Sequence, residues 1–118
     1  MKKKFIICFD LDNVICTTVG KNYSKAKPKK KVIKLINELY EDRYEIRIFT
    51  ARFMGRNKDN VQKAKKQGLK LTLMQLKKWR VKFHKLIMGK PSYDLFIDDK
   101  AYGFKKNWYL SIKNKIKR

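Results

Sequence analysis

The chain has 118 residues and carries 32 basic side chains against 10 acidic ones, a formal charge of +22. This length has room for one hydrophobic core and excludes a second domain with its own. A hydrophobic content of 43% with 13% aromatic residues excludes a disordered chain despite 36% charged residues, and no apolar run approaches the ~20 residues that span a bilayer.

The opening MKKKFIICF places three lysines before an apolar stretch, as a secretory signal does. Residues 5–9 are shorter than the ~7–15 of a signal core, however, and Asp10 ends them. FIICF reads instead as a buried central strand of a parallel sheet, continuous, β-branched and aromatic. Residues 17–31, polar and Lys-rich with Gly20 and Pro28, read as a loop. Val32, Ile33, Leu35, Ile36, Leu39 and Tyr40 recur at the 3–4 spacing of an amphipathic helix over about 29–42.

A second strand is expected over 44–50 (YEIRIFT) and a loop with Gly55 over 51–58. A helix over about 59–67 would end on Gly68 as its C-cap. Thr72 and Gln75 have capping-box spacing and open another short helix. Residues 83–88 (FHKLIM) and 94–97 (DLFI) read as two more strands, joined through a turn at Gly89, Lys90, Pro91 and Ser92. From about residue 105 the chain is a basic segment with six positive charges and no acid, in which Trp108, Ile112 and Ile116 share one helical face. The strand–helix–strand order predicts an α/β domain over residues 1–118. Its mainly parallel sheet of four or five strands would be centred on 5–9 and joined by right-handed crossovers.

Cys8 and Cys16 have neither a CxxC partner nor histidine at zinc spacing, which suits reduced thiols in a cytoplasmic protein. The charge has two readings. One is a polyanionic partner, nucleic acid or an acidic membrane. The other, favoured by 26 lysines against six arginines, is a solvated lysine-rich surface, because arginine is the better residue for planar recognition of phosphates and bases. Either way the field attracts small anionic substrates.

The acids are more informative because they are few. Four of the ten form two tight pairs, Asp10/Asp12 and Asp98/Asp99, each just where an apolar strand is expected to end. In an open parallel sheet those ends line the ligand crevice. Two acidic pairs meeting there repel unless a cation lies between them, and carboxylates without His or Cys suit Mg2+. The competing reading makes them loop caps paired with surface lysines. Thr50 closes the second strand and Lys90 precedes Pro91, so DxD, Thr, Lys and DD follow one another in order.

FDLDNVICTT, IFTAR, GKP and FIDD, in this order over about residues 5–104, resemble the four motifs of the haloacid dehalogenase-like (HAD) superfamily phosphatases. YSKAKP and GKPSYDLFIDDKAYGF are similar to the small capless members found in bacterial capsule and surface-polysaccharide loci. The resemblance implies a three-layer Rossmann-like fold without a cap domain. It implies Asp10 as the nucleophile that forms an aspartyl-phosphate. Asp12 would be the acid that protonates the leaving alcohol and then the base for the hydrolytic water. Thr50 and Lys90 would stabilise the transferring phosphoryl group. Mg2+ would be held by Asp10, the Asp12 carbonyl and Asp98, with Asp99 coordinating directly or through water. The set supplies positioning and charge neutralisation, which phosphoryl transfer chiefly needs. Response-regulator receivers share these residue types in another order, and no Gly-rich nucleotide loop is present.

The implied activity is a Mg2+-dependent phosphomonoesterase acting on a small anionic phosphate ester, a sugar, polyol or amino-alcohol phosphate. A nucleic-acid end phosphatase, or a basic binding protein with little catalysis, is the alternative. Without a cap, residues 13–31 and 51–58 are the candidate covers, and the cleft either stays open or is closed by homo-oligomerisation. Asn13 and Arg52 are the candidate substrate contacts. Arg52, just after Thr50, would reach a leaving group or a second anion, or else face solvent as a loop residue. His84, the single histidine, and Trp79 and Trp108 read as structural.

Overall fold

This computed structural model describes residues 4–116. In chain order its elements are β1 (Ile6–Phe9), β2 (Cys16–Thr17), β3 (Lys27–Pro28), α1 (Lys30–Glu41), β4 (Glu45–Thr50), α2 (Val61–Lys78), β5 (Lys85–Met88) and α3 (Ile112–Ile116). The main sheet is parallel in the order β1-β4-β5, with Ile7 beside Ile46, Phe9 beside Ile48 and Thr50 beside Met88. β2 and β3 form a separate antiparallel pair within the segment expected as loop.

β4 alternates strictly, so Ile46, Ile48 and Thr50 lie fully buried on one face. Both crossovers step in the same direction along the sheet, which puts α1 and α2 on that face. Ile33 and Ile36 of α1 and Leu76 of α2 close the core over Ile46 and Ile48, each buried aliphatic side chain stabilising by about 1.5–3 kcal/mol. The opposite face carries Arg47, Phe49 and the more open Ile6, Cys8 and Ile87. His84 prolongs the β4–β5 ladder, its Nδ1 accepting from the Ile46 N–H at 3.0 Å while its ring stacks on Tyr40.

The α/β class, the parallel sheet and the lack of a separate cap domain agree with the sequence reading. The sheet itself is smaller than expected, with three strands, and β4 rather than β1 is its centre. β1 pairs on one side only and leaves Phe5 68% and Ile6 44% exposed. The expected strand at 94–97 does not form. Its apolar run serves local contacts instead: the Tyr93 and Phe96 rings meet at 5.1 Å and gather around the Lys90 ammonium.

The two helices expected either side of Gly68 are one helix, α2. Asn60 is its N-cap, accepting from the Lys63 N–H at 3.1 Å, and Thr72 Oγ1 bonds back to the Gly68 carbonyl instead of capping a new helix. Gly68 serves packing: a Cβ there would lie 2.2 Å from the Phe53 ring. α3 and the single turn Trp108–Leu110 before it bury no residue. Residues 1–3 of the opening MKKK and 117–118 of the basic segment lie outside the described residues. Among the described residues no helix is long and apolar enough to cross a membrane.

Candidate active site

The C-terminal ends of β1, β4 and β5 open onto a cavity of about 320 Å³, lined by Asp10, Lys21, Tyr23, Lys90, Ser92 and Tyr93 with the backbone of Ala51 and Gly55. Its floor is set by the turn after β1. Leu11 and Ile15 are fully buried and anchor that turn in the core. The Leu11 carbonyl accepts from the amides of Val14, Ile15 and Cys16, and Asn13 takes a left-handed φ of 65° to close it. Asp10 and Asp12 flank the Leu11 anchor.

Asp10 is half-buried. Its Oδ1 accepts from the Leu11 N–H at 2.7 Å, which leaves Oδ2 toward Lys90 Nζ at 3.3 Å. Lys90 is held in turn by its own N–H, which donates to the Thr50 carbonyl at 3.1 Å. Burial works against the charge on Lys90. The Tyr93 side chain and the Asp10 carboxylate outweigh it and keep the ammonium protonated above the ordinary lysine range. Lys21 enters from the loop between β2 and β3, over Gly55, where an added Cβ would stand 3.1 Å from its Nζ. Two ammonium groups thus share a small cavity with one carboxylate, an arrangement that suits a multiply charged anion.

Asp12 has different surroundings. Arg52 Nε lies 3.0 Å from Oδ2 and its Nη2 lies 2.9 Å from Oδ1, while Thr18 Oγ1 donates to Oδ1 at 2.6 Å. The Arg52 side chain is fully buried and spends its remaining N–H groups on Gln75 Oε1 and Thr72 Oγ1. Gln75 then donates to the Tyr23 carbonyl, so the clamp on Asp12 also fixes a cavity wall. The outward-reaching Arg52 expected from sequence is not formed, because this network draws the guanidinium inside. Asn13 likewise turns its side chain back, Oδ1 accepting from the Thr18 N–H at 3.1 Å. Thr50 is fully buried and its Oγ1 accepts from the Arg52 N–H at 3.1 Å. Cys16 packs against this cluster, and burial raises its thiol pKa.

Asp98 and Asp99 lie elsewhere, in an exposed turn. Asp98 Oδ1 accepts from the Lys100 N–H at 3.0 Å, and that bond, with Asp99, holds the Asp98 carboxyl below the ordinary aspartate range. Among the described residues no group of three or more His, Cys, Asp or Glu side chains converges to hold a metal ion. The side chains expected to hold Mg2+ therefore do not come together as arranged: Asp10 lines the cavity, and the second pair caps its own turn.

The structure thus brings Asp10, Asp12, Asn13, Thr50, Arg52 and Lys90 into one neighbourhood and leaves Asp98 and Asp99 out of it. Sequence reasoning missed Lys21, Tyr23, Ser92 and Tyr93. The last two stand directly after the GKP motif and were legible as its extension. Lys21 is one lysine in a lysine-rich loop and carries no signal of its own.

No family model matches the chain, and no curated protein matches it. Solved structures do. The crystal structure of an MCSG target from Vibrio cholerae is 25% identical, with a TM-score of 0.77, over 94% of this chain and 98% of that one. A chain of the Pnkp1/Rnl/Hen1 complex is 18% identical with a TM-score of 0.53, and one of the Pnkp1/Rnl/Hen1 RNA repair complex is 18% identical with 0.52. These matches cover 91% and 92% of this chain but 33% and 31% of those, so the whole domain corresponds to about a third of each larger chain.

Proposed function

We propose that this protein is a phosphomonoesterase of HAD-like type that works through an aspartyl-phosphate on a small phosphorylated metabolite. One observation carries the reading: Asp10 stands at the end of β1 on the floor of an anion-sized cavity, 3.3 Å from Lys90 and facing Lys21. The likeness to chains of the Pnkp1 complexes supports a phosphatase-like fold.

In this reading Lys90 and Lys21 draw in the phosphate dianion and offset its charge. Asp10 Oδ2, the oxygen not held by the Leu11 amide, attacks phosphorus. The bond from phosphorus to the ester oxygen breaks, and that oxygen takes the proton that Asp12 carries at this step on the Oδ2 lone pair not used by Arg52. Water then attacks the aspartyl-phosphate, gives its proton to Asp12, and releases inorganic phosphate and free Asp10. Arg52 and Thr18 act by fixing the Asp12 carboxyl, and Thr50 by fixing the turn that carries Arg52. Mg2+ belongs to the reading through the four-motif resemblance, and no step above is routed through it. The capless build and the YSKAKP and GKPSYDLFIDD strings support a sugar or short polyol phosphate of capsule or surface-polysaccharide synthesis as substrate, in the cytoplasm.

A nucleic-acid end phosphatase is the second reading. It is favoured by the charge of +22 and by the RNA repair assemblies to which the similar chains belong. The test is phosphate release from sugar, polyol and amino-alcohol phosphates and from 3′- and 5′-phosphorylated oligonucleotides, with Mg2+ or chelator. Turnover of a small ester, reduced about 10³-fold or more in Asp10→Asn, is the expected result. Undiminished turnover in purified Asp10→Asn removes the nucleophile assignment, and release confined to oligonucleotide ends favours the second reading.

A further inference from the structure

A second and larger cavity, about 820 Å³, lies between α1 and the C-terminal end of α2. The mechanism proposed above does not use it. Pro28, Ile33 and the half-buried Trp79 give it an apolar floor. Lys27, Lys30, Lys34, Lys78 and Arg80 stand on its rim, all exposed, against the single acid Glu38. We propose that this groove binds single-stranded nucleic acid without sequence preference.

Three features of the groove point to that occupant. Five like charges around one cavity repel one another, and a polyanion removes that repulsion. The helix macrodipole accounts for Lys78, in the last turn of α2, but not for Lys30. Lys30 opens α1, where the helix macrodipole disfavours a cation, and no acid stands in that first turn to offset it. Lysines as point charges follow a phosphate backbone without reading bases, and the half-buried Trp79 that lines the groove is an aromatic side chain of the type on which bases stack. A cation rim alone would suit a lipid surface equally. Docking on a bilayer surface needs a projecting apolar face, whereas the apolar part of this site is concave.

The groove is also continuous with the first cavity along the chain. Lys21 and Tyr23 wall the Asp10 cavity, and Ala26, Lys27 and Pro28, a few residues on, wall the groove. The Tyr23 carbonyl is pinned by Gln75 Nε2 at 2.6 Å, so this connecting segment is held rather than loose.

The test is binding of an oligothymidylate with no terminal phosphate, so that it is independent of any turnover. Trp79 becomes the sole indole reporter in a Trp108→Phe background. The groove variant Lys27→Gln, Lys30→Gln, Lys34→Gln, Lys78→Gln is compared with Lys65→Gln, Lys66→Gln, Lys105→Gln, Lys106→Gln, which has the same net charge but changes no groove residue. Thermal unfolding confirms that both are folded. The expected result is quenching of Trp79 on binding and a salt slope that falls by about 3 in the groove variant, close to 0.7 for each lost contact. Affinity should drop at least tenfold in that variant at low salt, with both quantities nearly unchanged in the control. Equal losses in the two variants would mean diffuse surface charge and overturn the site. So would absence of binding by the wild type, or a groove variant that loses phosphatidylserine vesicles while keeping the oligonucleotide.

Discussion

Asp10/Asp12 and Asp98/Asp99 are near twins in sequence, each an acidic pair closing an apolar run, of five and three residues respectively. In the structure they share little. The first pair follows a paired strand, brackets a fully buried leucine and meets Lys90 and Arg52. The second follows a run that pairs with nothing and caps an exposed turn. An acidic pair acquires chemical surroundings only when the run before it is fixed in a sheet. β1 is fixed by four register partners on β4; residues 94–97 have none.

The largest way to break this contrast is to open the clamp on the first pair. Arg52→Met keeps the length of the side chain and removes its five donors. It removes the cationic partner of Asp12 and the donors to Gln75 Oε1 and Thr72 Oγ1 in a buried cluster, and we expect a loss of about 3–5 kcal/mol in denaturant unfolding. A loss below about 1 kcal/mol would show that the network is replaceable. Thr18→Val is a finer cut at the same carboxylate. It removes the 2.6 Å donor to Asp12 Oδ1 and should cost about 1.5–3 kcal/mol, as hydrogen bonds to charged groups do.

The second pair should respond differently. Asp98→Asn removes a charge from an exposed turn and should lower the unfolding midpoint only slightly, far less than Arg52→Met. Its activity, measured beside Asp10→Asn, sharpens the comparison. If turnover collapses in a variant whose stability is only slightly lowered, the second pair reaches the first during catalysis, as the FIDD resemblance implies. If turnover persists, the pair is a turn cap and nothing more.

The sequence carried the first pair well and the second poorly, for a physical reason. Strict alternation in EIRIFT and the 3–4 spacing of α1 report burial directly, so β4 and α1 were legible. DLFI has the same apolar character, but whether such a run pairs depends on a free edge and a chain path that local sequence does not encode. β1 was misplaced at the centre for a related reason: FIICF is apolar enough for a strand covered on both sides, yet pairs on one side only. Arg52 shows the limit at single residues. Nothing in IFTAR tells whether the arginine turns out to substrate or in to Asp12; the decision rests with Thr72 and Gln75, 20 and 23 residues away on α2. Those two were seen, but as a capping box, because spacing alone does not separate a cap from a buried polar pair.

The two pairs also differ in what titration should report. Lys90 is protonated above the ordinary lysine range because Tyr93 and Asp10 outweigh its burial. Its contribution to stability is therefore complete below the ordinary lysine pKa and is lost as pH rises through the higher folded value. Asp98 runs the other way: the Lys100 amide and Asp99 favour its charged form, so its contribution is present above the ordinary aspartate pKa and fades as pH falls through the lower folded value. Resonances of Lys90 Nζ and the Asp98 carboxyl, followed by NMR at alkaline and acid pH, read the two separately. Asp10→Asn should bring Lys90 back toward the ordinary lysine value and leave Asp98 unmoved, because the ion pair belongs to one cluster and the turn cap to another. An Asp98 titration that moves with Asp10→Asn would couple the two pairs and end their separation.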